Sequence, residues 1–514
     1  MDALRLPPRR LAFLLFAALL AIAAAEPAAG RDAAGFYNPR PSPDTRFVYV
    51  STSGDDRANG RGENTPLRTL ERAKKQLRDG FPDHLLIRAG DRFDEPFGYF
   101  AKSGRSADQP MFVGVYGEGD RPEFNGGLLA HAATGVSHLV IQGLAFRDRS
   151  RDPADPSFSV EAARRGGYGI KWNERGENVL FEDLKISRFF VGMDLSGDAG
   201  DKPDDEEIRA RQRAGKHPLR DVTVRRCIVV DNYGVNGHAQ GLFASNLDGL
   251  RVEECTFDRN GHDEAVEGSK PDIFKHNVYQ YFTLNSRMEL VGNLITRPSA
   301  QGAQVRGGGL VEGNFFGRCP IAMTILDGES RVAGNAVLDA SDIAGVQENG
   351  FGFLVESVAS IELTGNLFAH KNSGSGHGVA VKVSQKWDHH GRDPWRERIG
   401  NPQLSATITG NLVSDWPTAS KWPAFDVNED QVDAVVTGNR VDPAGAAVPT
   451  LADYMAANGR GGGDPYEALA EEAANRPRGT WDPRWTAAGV NAFLRAGAGL
   501  DEAAPAAGRD PSHR

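Results

Sequence analysis

The sequence predicts an all-β chain. It reads as a right-handed parallel β-helix, a solenoid of short stacked strands, with a short N-terminal capping helix and a helical C-terminal tail. Three observations carry that reading. A Gly-Asn pair returns six times inside one short apolar pattern: VGNLI at Asn293, EGNFF at Asn314, AGNAV at Asn335, TGNLF at Asn366, TGNLV at Asn411 and TGNRV at Asn439. The first three asparagines are 21 residues apart, and the later gaps are 31, 45 and 28. A period this short, carrying strands and no helix, marks a stack of coils. It is too short for a propeller blade, which needs four strands and about 40–45 residues. Finally, the same column continues upstream with Leu144, Leu184, Cys227 and Cys255 on the asparagine position. Apolar residues replacing asparagine place the column inside, at a turn. An inward amide there finds partners in the coils above and below and in nearby backbone groups.

The organisation follows from the N-terminus. Residues 1–25 read as a signal peptide. Arg5, Arg9 and Arg10 are followed by the apolar run LAFLLFAALLAIAAA, which closes on the small residues Ala23-Ala24-Ala25. That run is shorter than the roughly 20 residues a membrane span needs, and nothing later would span. The mature chain is therefore expected to be secreted or periplasmic. Residues 26–46 are rich in Ala, Pro and Arg and read as a flexible lead-in. Residues 47–448 form the β-helix, starting from the strand FVYV. TPLRTLERAKKQLRDG puts Leu67, Leu70, Ala73 and Leu77 on one helical face, with Thr65 or Thr69 as cap. A helix near 67–78 would cover the open end of the first coil, whose strand edges are otherwise unpaired. From 449 to 514 the chain changes character. LADYMAANG, PYEALAEEAANRP and TAAGVNAFLRAG read as helices that cover the far end or fold back along the stack.

Composition agrees with this reading. The 514 residues include 60 glycines, which suits many tight turns, and the net charge is −10. No basic stripe is visible, so nucleic acid is excluded as a partner. The chain has three cysteines. Cys227 and Cys255 are expected to stack in adjacent coils as small buried hydrophobes. The protein is read as a monomer.

The face able to do chemistry comes from a second strand in each coil. In register these strands read GLFAS (241–245), NVYQY (277–281), GAQVR (302–306), IAMTI (321–325), GFLVE (352–356), GVAVK (378–382) and AFDVN (424–428). Period-two alternation points the third and fifth positions outward. The outward set is then Phe243 and Ser245, Tyr279 and Tyr281, Gln304 and Arg306, Met323 and Ile325, Leu354 and Glu356, Ala380 and Lys382, Asp426 and Asn428. Gln280 is the weak point of the inward set. Coils stack about 4.8 Å apart, so Tyr281 falls beside Arg306 and Tyr279 beside Gln304. The preceding loop, GHDEAVEGSKPDIFKH, brings Asp263, Glu264, Glu267, Lys270, Lys275 and His276 to the same neighbourhood.

A tyrosine beside an arginine on an exposed sheet face suits β-elimination from an acidic sugar. The C5 proton of a uronate can be removed only when the adjacent carboxylate is neutralised, and arginine does that with two parallel hydrogen bonds. A neighbouring cation favours a phenolate, and with it tyrosine as a base. Lys270 and His276 are further candidates for proton transfer. Tyr279, Gln304, Lys275, Glu356, Lys382 and Trp387 are candidates for holding substrate.

The segment QGAQVRGGGLVEGNFFG resembles the arginine-bearing coil of the alginate lyase and chondroitinase B type of polysaccharide lyases, within the pectate-lyase-like right-handed β-helices. Val305-Arg306-Gly307 and Glu312-Gly313-Asn314-Phe315-Phe316 carry the likeness. The detailed match covers roughly residues 264–316, and the fold-level likeness covers 47–445. The resemblance implies that Arg306 is catalytic. It also implies a lysine base one coil earlier and a calcium ion held by asparagine and glutamates. Here the matching outward position holds Tyr281, and the nearest lysines, Lys270 and Lys275, precede the strand. Glu264, Glu267 and Asn277 are the residues that would hold calcium.

Other readings rest on other residues. Gly376-His377-Gly378 matches a motif of polygalacturonase-type hydrolases, but the paired aspartates those enzymes need are missing from the coil GFLVES, so His377 reads as a turn residue. The Asp-Pro-His signature of alginate epimerases is absent. His389, His390 and Asp393 sit in a polar loop with Trp387 and Trp395, and the acidic run 198–207 reads as solvated. The expected function is a polysaccharide lyase acting on an acidic polysaccharide or oligosaccharide. The alternatives are a glycoside hydrolase using Glu356 with Asp426 or Glu429, and a noncatalytic carbohydrate-binding solenoid.

Overall fold

The computed structural model describes residues 30–130, 135–197, 210, 218–281, 287–326, 328–356, 358–374, 378–385, 404–417, 421–443, 445 and 447–500. Two units are distinguished, 1–40 and 41–514. In the described part of the first, Asp32 accepts a hydrogen bond from the Phe36 N–H at 2.8 Å, and Arg31 bridges Tyr37 antiparallel. An ordered turn therefore stands inside the lead-in expected to be flexible.

The second unit is a parallel β-helix. A complete coil contributes one strand to each of three parallel sheets. Sheet A has 13 strands, sheet B has 12 short ones and sheet C has 11, among the described residues. The chain runs from A through the asparagine turn to B, round a second corner to C, and back to A one rung higher. Inward side chains of all three sheets form one continuous core, from Val48 and Leu70 at one end to Val432 at the other.

The asparagine turn explains the repeat. The residue before the ladder position has positive φ in every coil, between 61° and 65° at Gly292, Gly313, Gly334, Gly365, Gly410 and Gly438. Glycine takes this left-handed region without a Cβ clash. Upstream, Asp183, Arg226 and Glu254 adopt it too, at φ 50–58°. The asparagine that follows is buried in all of these coils but the last, and is bonded along the stack. Asn293 Nδ2 donates to Asn314 Oδ1 at 2.9 Å, Asn314 to Asn335 at 3.0 Å, Asn335 to Asn366 at 2.9 Å, Asn366 to Asn411 at 2.9 Å and Asn411 to Asn439 at 2.8 Å. The cysteines extend the column as free thiols. The Cys255 N–H donates to Asn293 Oδ1 at 2.9 Å, and the Cys227 N–H to Cys255 Sγ at 3.3 Å.

The N-terminal end is capped as expected, with one difference. Helix α1 spans Leu70–Gln76, and Thr69 is its N-cap, accepting from the Arg72 N–H. Leu67 is not helical. It pairs with Val50 as a parallel bridge, so it extends sheet A by one edge before the helix closes the end. A second short helix, α2 (Val160–Arg165), lies in a corner loop.

The tail folds back along the stack. Helices α3 (Leu451–Ala457), α4 (Pro465–Ala474) and α5 (Ala487–Gly497) follow the last coil. Their apolar faces cover the outward side of sheet B. Leu294, Phe315, Ala336, Leu338, Leu367 and Leu412 pack there against Leu451, Tyr454, Tyr466, Leu469, Val490 and Leu494. Polar ties fix the register. The Tyr466 hydroxyl donates to Asp339 at 2.6 Å, and Asn491 Nδ2 donates to the Gly313 carbonyl at 2.8 Å. The last rung stays open, with Val435 and Val441 more than half exposed. Among the described residues, no helix is long and apolar enough to cross a membrane.

Candidate functional site

Sheet C presents two outward columns of side chains. The first runs Lys171, Asp194, Phe243, Tyr279, Gln304, Thr324, Leu354, Lys382 and Asp426, one residue per coil. The second lies two residues further along each strand and includes Ser196, Ser245 and Tyr281, then Arg306, Leu326, Glu356 and Ser384. Gln280 pairs with Val305 and is buried, as the inward position requires, so Tyr281 and Arg306 are outward neighbours.

This brings together an aromatic and cationic cluster. The Arg306 guanidinium lies 5.5 Å from the ring centroids of both Tyr279 and Tyr281. Those rings are 5.8 Å apart and nearly perpendicular. Phe243, one coil earlier, lies 5.6 Å from Tyr279 and 6.3 Å from Tyr281. Tyr281 is the exposed member, at 39%, while Gln304 is nearly buried. Burial raises the Tyr279 phenol above the ordinary tyrosine range, against the opposing charge of Arg306.

His276 lies at the corner leading into sheet C, with its ring 5.1 Å from that of Tyr279. Burial, and then the charges of Arg306 and His238, push its pKa down to about 3. The ring is therefore neutral at ordinary pH and a poor proton acceptor. The Asp194 carboxyl also faces this sheet, and burial raises its pKa despite a 2.5 Å hydrogen bond from the Ser196 hydroxyl. Ser196 in turn accepts from Ser245 at 3.0 Å.

A second asparagine ladder shapes the corner between sheets B and C, and sequence reasoning missed it. Asn232 Nδ2 donates to Asn260 Oδ1, and Asn260 Nδ2 to Asn277 Oδ1, each at 2.8 Å. Asn277 also donates to the Thr296 carbonyl at 2.8 Å and is fully buried. The recurrent asparagine just after the short strand (DNYG, then RNGH), followed by that of HNVY at the start of the next sheet C strand, was the available signal.

Several expected positions are corrected. Asn277 faces inward with its oxygen accepting from Asn260, while Glu264 and Glu267 are exposed on the loop, so these three do not form a calcium-binding set. Among the described residues no group of three or more His, Cys, Asp or Glu side chains is placed to hold a metal ion. Lys275 is buried, and its ammonium donates to the carbonyls of Gly234 at 3.0 Å and Lys270 at 2.7 Å, which ties the loop down. Lys270 is exposed on that loop. Met323 and Ile325 point inward, because the strand pairs Thr324 with Gln304, and Thr324 and Leu326 take the outward places. Lys382 is outward but pairs with Leu354 rather than Glu356, and its ammonium is 4.0 Å from Asp426. Glu356 is two rungs from Arg306 in the same column. Trp387, with Trp395, His377, His389, His390, Asp393, the leader 1–25 and the run 198–207, lies outside the described residues.

A cavity of about 790 Å³ lies elsewhere. It lies on sheet B beside the end of α4, lined by charged residues including Lys185, Arg188, Asp231 and Glu471. Lys185 donates to the Ala474 carbonyl there at 3.0 Å, and Arg121 to the Arg476 carbonyl at 3.0 Å. These cations fasten the tail, and the cavity is the seam beneath it.

The fold is a parallel β-helix. No protein-family model matches the chain, and no curated protein matches it. Solved structures that resemble it include the GH136 lacto-N-biosidase from Eubacterium ramulus, with 14% identity, 77% of this chain and 68% of that chain covered, and a TM-score of 0.41. XylC in complex with xylose has 10% identity over 77% of this chain and 86% of that chain, with a TM-score of 0.47. Pectate lyase Pel9A has 14% identity over 79% and 82%, with a TM-score of 0.38. Likeness at this level concerns the fold.

Proposed function

We propose that sheet C carries the active face of an exported polysaccharide lyase acting on an acidic, uronate-containing glycan. The observation that carries the reading is the convergence of Arg306 on Tyr279 and Tyr281 from adjacent coils. Arg306 takes the uronate carboxylate and neutralises it, which lets the C5–H bond ionise. Tyr281, the exposed phenol of the pair, takes the C5 proton as phenolate. The C5 electron pair becomes the C4=C5 double bond, the C4–O bond breaks, and the departing oxygen takes up the proton that the Tyr281 phenol now carries, which returns the phenolate. Phe243 and the Tyr279 ring offer apolar faces to a sugar ring. His276 and Lys275 drop out as bases on burial, and Lys270 is left as the alternative.

The hydrolase alternative fits less well. Glu356 and Asp426 are two rungs apart, about 9.6 Å along the axis, and two residues apart across the strands. Hydrolytic carboxylates stand roughly 5–9.5 Å apart, so from this backbone separation the two side chains would have to lean toward each other. Asp426 also faces the Lys382 ammonium.

The test is a panel of uronate-containing glycans read by ultraviolet absorbance and by reducing ends. A lyase gives both signals, because its product carries a C=C bond conjugated to the carboxylate. New reducing ends without absorbance mean hydrolysis. Binding with neither signal means a carbohydrate-binding solenoid.

A further inference from the structure

On sheet C, the sheet that carries Arg306, several buried polar atoms have no hydrogen-bond partner among the described residues. His276 Nδ1, Gln301 Oε1 and Thr324 Oγ1 are buried and find no hydrogen-bond partner among the described residues. They belong to three successive coils. His276 pairs with Gln301 across the first step, and Gln304, on the Gln301 strand, pairs with Thr324 across the second. The four side chains are between 3% and 7% exposed. A buried polar group without a partner costs stability that an apolar residue of the same shape would recover. Three such groups on three successive coils of the sheet that carries the proposed carboxylate-binding arginine are retained at a cost the fold itself does not need.

We infer that His276, Gln301 and Thr324 form a hydroxyl-recognition subsite for the same uronate ring whose carboxylate Arg306 holds, and that it admits only rings with free hydroxyls. This rests on the reading of Arg306 as the carboxylate partner. The chemistry of the set selects the ligand. The Gln301 carbonyl accepts only, the Thr324 hydroxyl donates and accepts, and a neutral imidazole offers one donor and one acceptor. None of them carries charge, so an anion gains nothing from this patch. A sugar hydroxyl, donor and acceptor at once, matches all three. His276 stays neutral because burial disfavours its cation. Tyr279 is the cover, its ring lying against His276 on one side and beside the Arg306 guanidinium on the other. The patch opens when Arg306 exchanges the ring for a substrate carboxylate. An O-acetyl or O-sulfo group has lost the O–H and adds bulk that so closed a patch cannot take. A site built around a hydroxyl rejects the analogue lacking it strongly, because its own polar atoms are then left unpaired.

The experiment uses the full-length mature protein and the variants Thr324→Val and Gln301→Leu. Binding is measured by calorimetry with unmodified oligomers of galacturonate, mannuronate, guluronate and glucuronate, and with the O-acetylated forms of whichever binds. Thermal unfolding is measured on the unliganded proteins. Expected is a midpoint equal to or above wild type in both variants, with affinity for the unmodified oligomer reduced about tenfold by each, as for one lost hydrogen bond. The O-acetylated oligomer should bind wild type at least tenfold more weakly than the unmodified one. A raised midpoint with unchanged affinity makes the patch a packing defect and overturns the inference. A lowered midpoint in both variants means the atoms are structurally engaged, and overturns it too. Equal affinity for acetylated and free oligomers removes the selectivity. The lyase reading fails separately: if no glycan yields ultraviolet-absorbing product but the variants still weaken oligomer binding, the subsite stands and the chemistry falls.

Discussion

Replacing Asn314 by alanine tests the ladder that sets the register of every site residue. The Asn314 side chain is fully buried and makes four hydrogen bonds. It accepts from the Asn293 N–H and from Asn293 Nδ2, both at 2.9 Å, and donates to the Leu290 carbonyl at 2.7 Å and to Asn335 Oδ1 at 3.0 Å. In Asn314→Ala the Asn293 N–H loses its acceptor in a dry interior. Asn293 Nδ2 keeps the Val252 carbonyl, and Asn335 Oδ1 keeps the Asn314 N–H. One orphaned buried donor at about 1–3 kcal/mol, plus three lost bonds at about 0.5–1.5 kcal/mol each, sum to about 2.5–7.5 kcal/mol. Asn439 provides the internal control. It ends the column, is half exposed, accepts from Asn411 and donates only to the Ile408 carbonyl. Water replaces much of what Asn439→Ala removes, so that variant should lose about 1–2 kcal/mol. Guanidinium chloride unfolding followed by circular dichroism gives both numbers, provided the slope m is unchanged. A loss below about 1 kcal/mol for Asn314→Ala, or equal losses at the two positions, would refute the argument that the buried amide column holds the stack in register.

Other expectations follow from the site and the cap. On a confirmed uronate substrate, Arg306→Ala should cut turnover by about 10²–10³ with an unchanged melting curve; full activity would move the chemistry elsewhere on the face. Tyr281→Phe should do the same while retaining substrate affinity, and Tyr279→Phe should be milder, because burial disfavours its ionised form. His84, packed between Phe47 and Phe112, has its pKa lowered to about 4 by burial. Its contribution to stability is therefore complete above the unfolded value near 6.5 and is lost as pH falls toward 4, at up to roughly 1.4 kcal/mol per pH unit. His84→Phe should flatten that part of the stability–pH profile, and an unaltered slope would count against it. Deleting residues 47–80 removes the first strand, the Leu67 bridge and α1, and should expose the end coil and cause aggregation. A normally soluble deletion would show that the cap is dispensable.

Where the sequence reading went wrong, the error is traceable to particular residues. Aligning IAMTI from its first residue slipped that strand by one place, and in a strand a slip of one exchanges the two faces. The corner before it is Cys319-Pro320, so pairing begins at Ile321 opposite Gln301 rather than one residue later. The course of the tail was left open between covering the end and folding back, although a signal was present. The residue directly after the first five of these asparagines (Leu294, Phe315, Ala336, Leu367, Leu412) is apolar and alternates with an inward partner, so it had to be covered on the outside. Lys275 and Asn277 looked like site residues from proximity alone. Their roles depend on Gly234, Asn260 and Thr296, which are distant along the chain.

The sequence by itself determined the solenoid, its inward asparagine and cysteine column, the capping helix, and the placing of Tyr281 beside Arg306. All of these follow from local periodicity, because a stacked coil repeats its neighbour's environment and strand alternation fixes which side faces out. The tertiary structure alone decided which polar side chains are spent on the corners, which face the tail helices cover, and which buried atoms of sheet C find no partner among the described residues. Those outcomes depend on burial and on hydrogen bonds between residues far apart in sequence, and the free energy of a buried polar group is set by the partners that the finished fold brings to it.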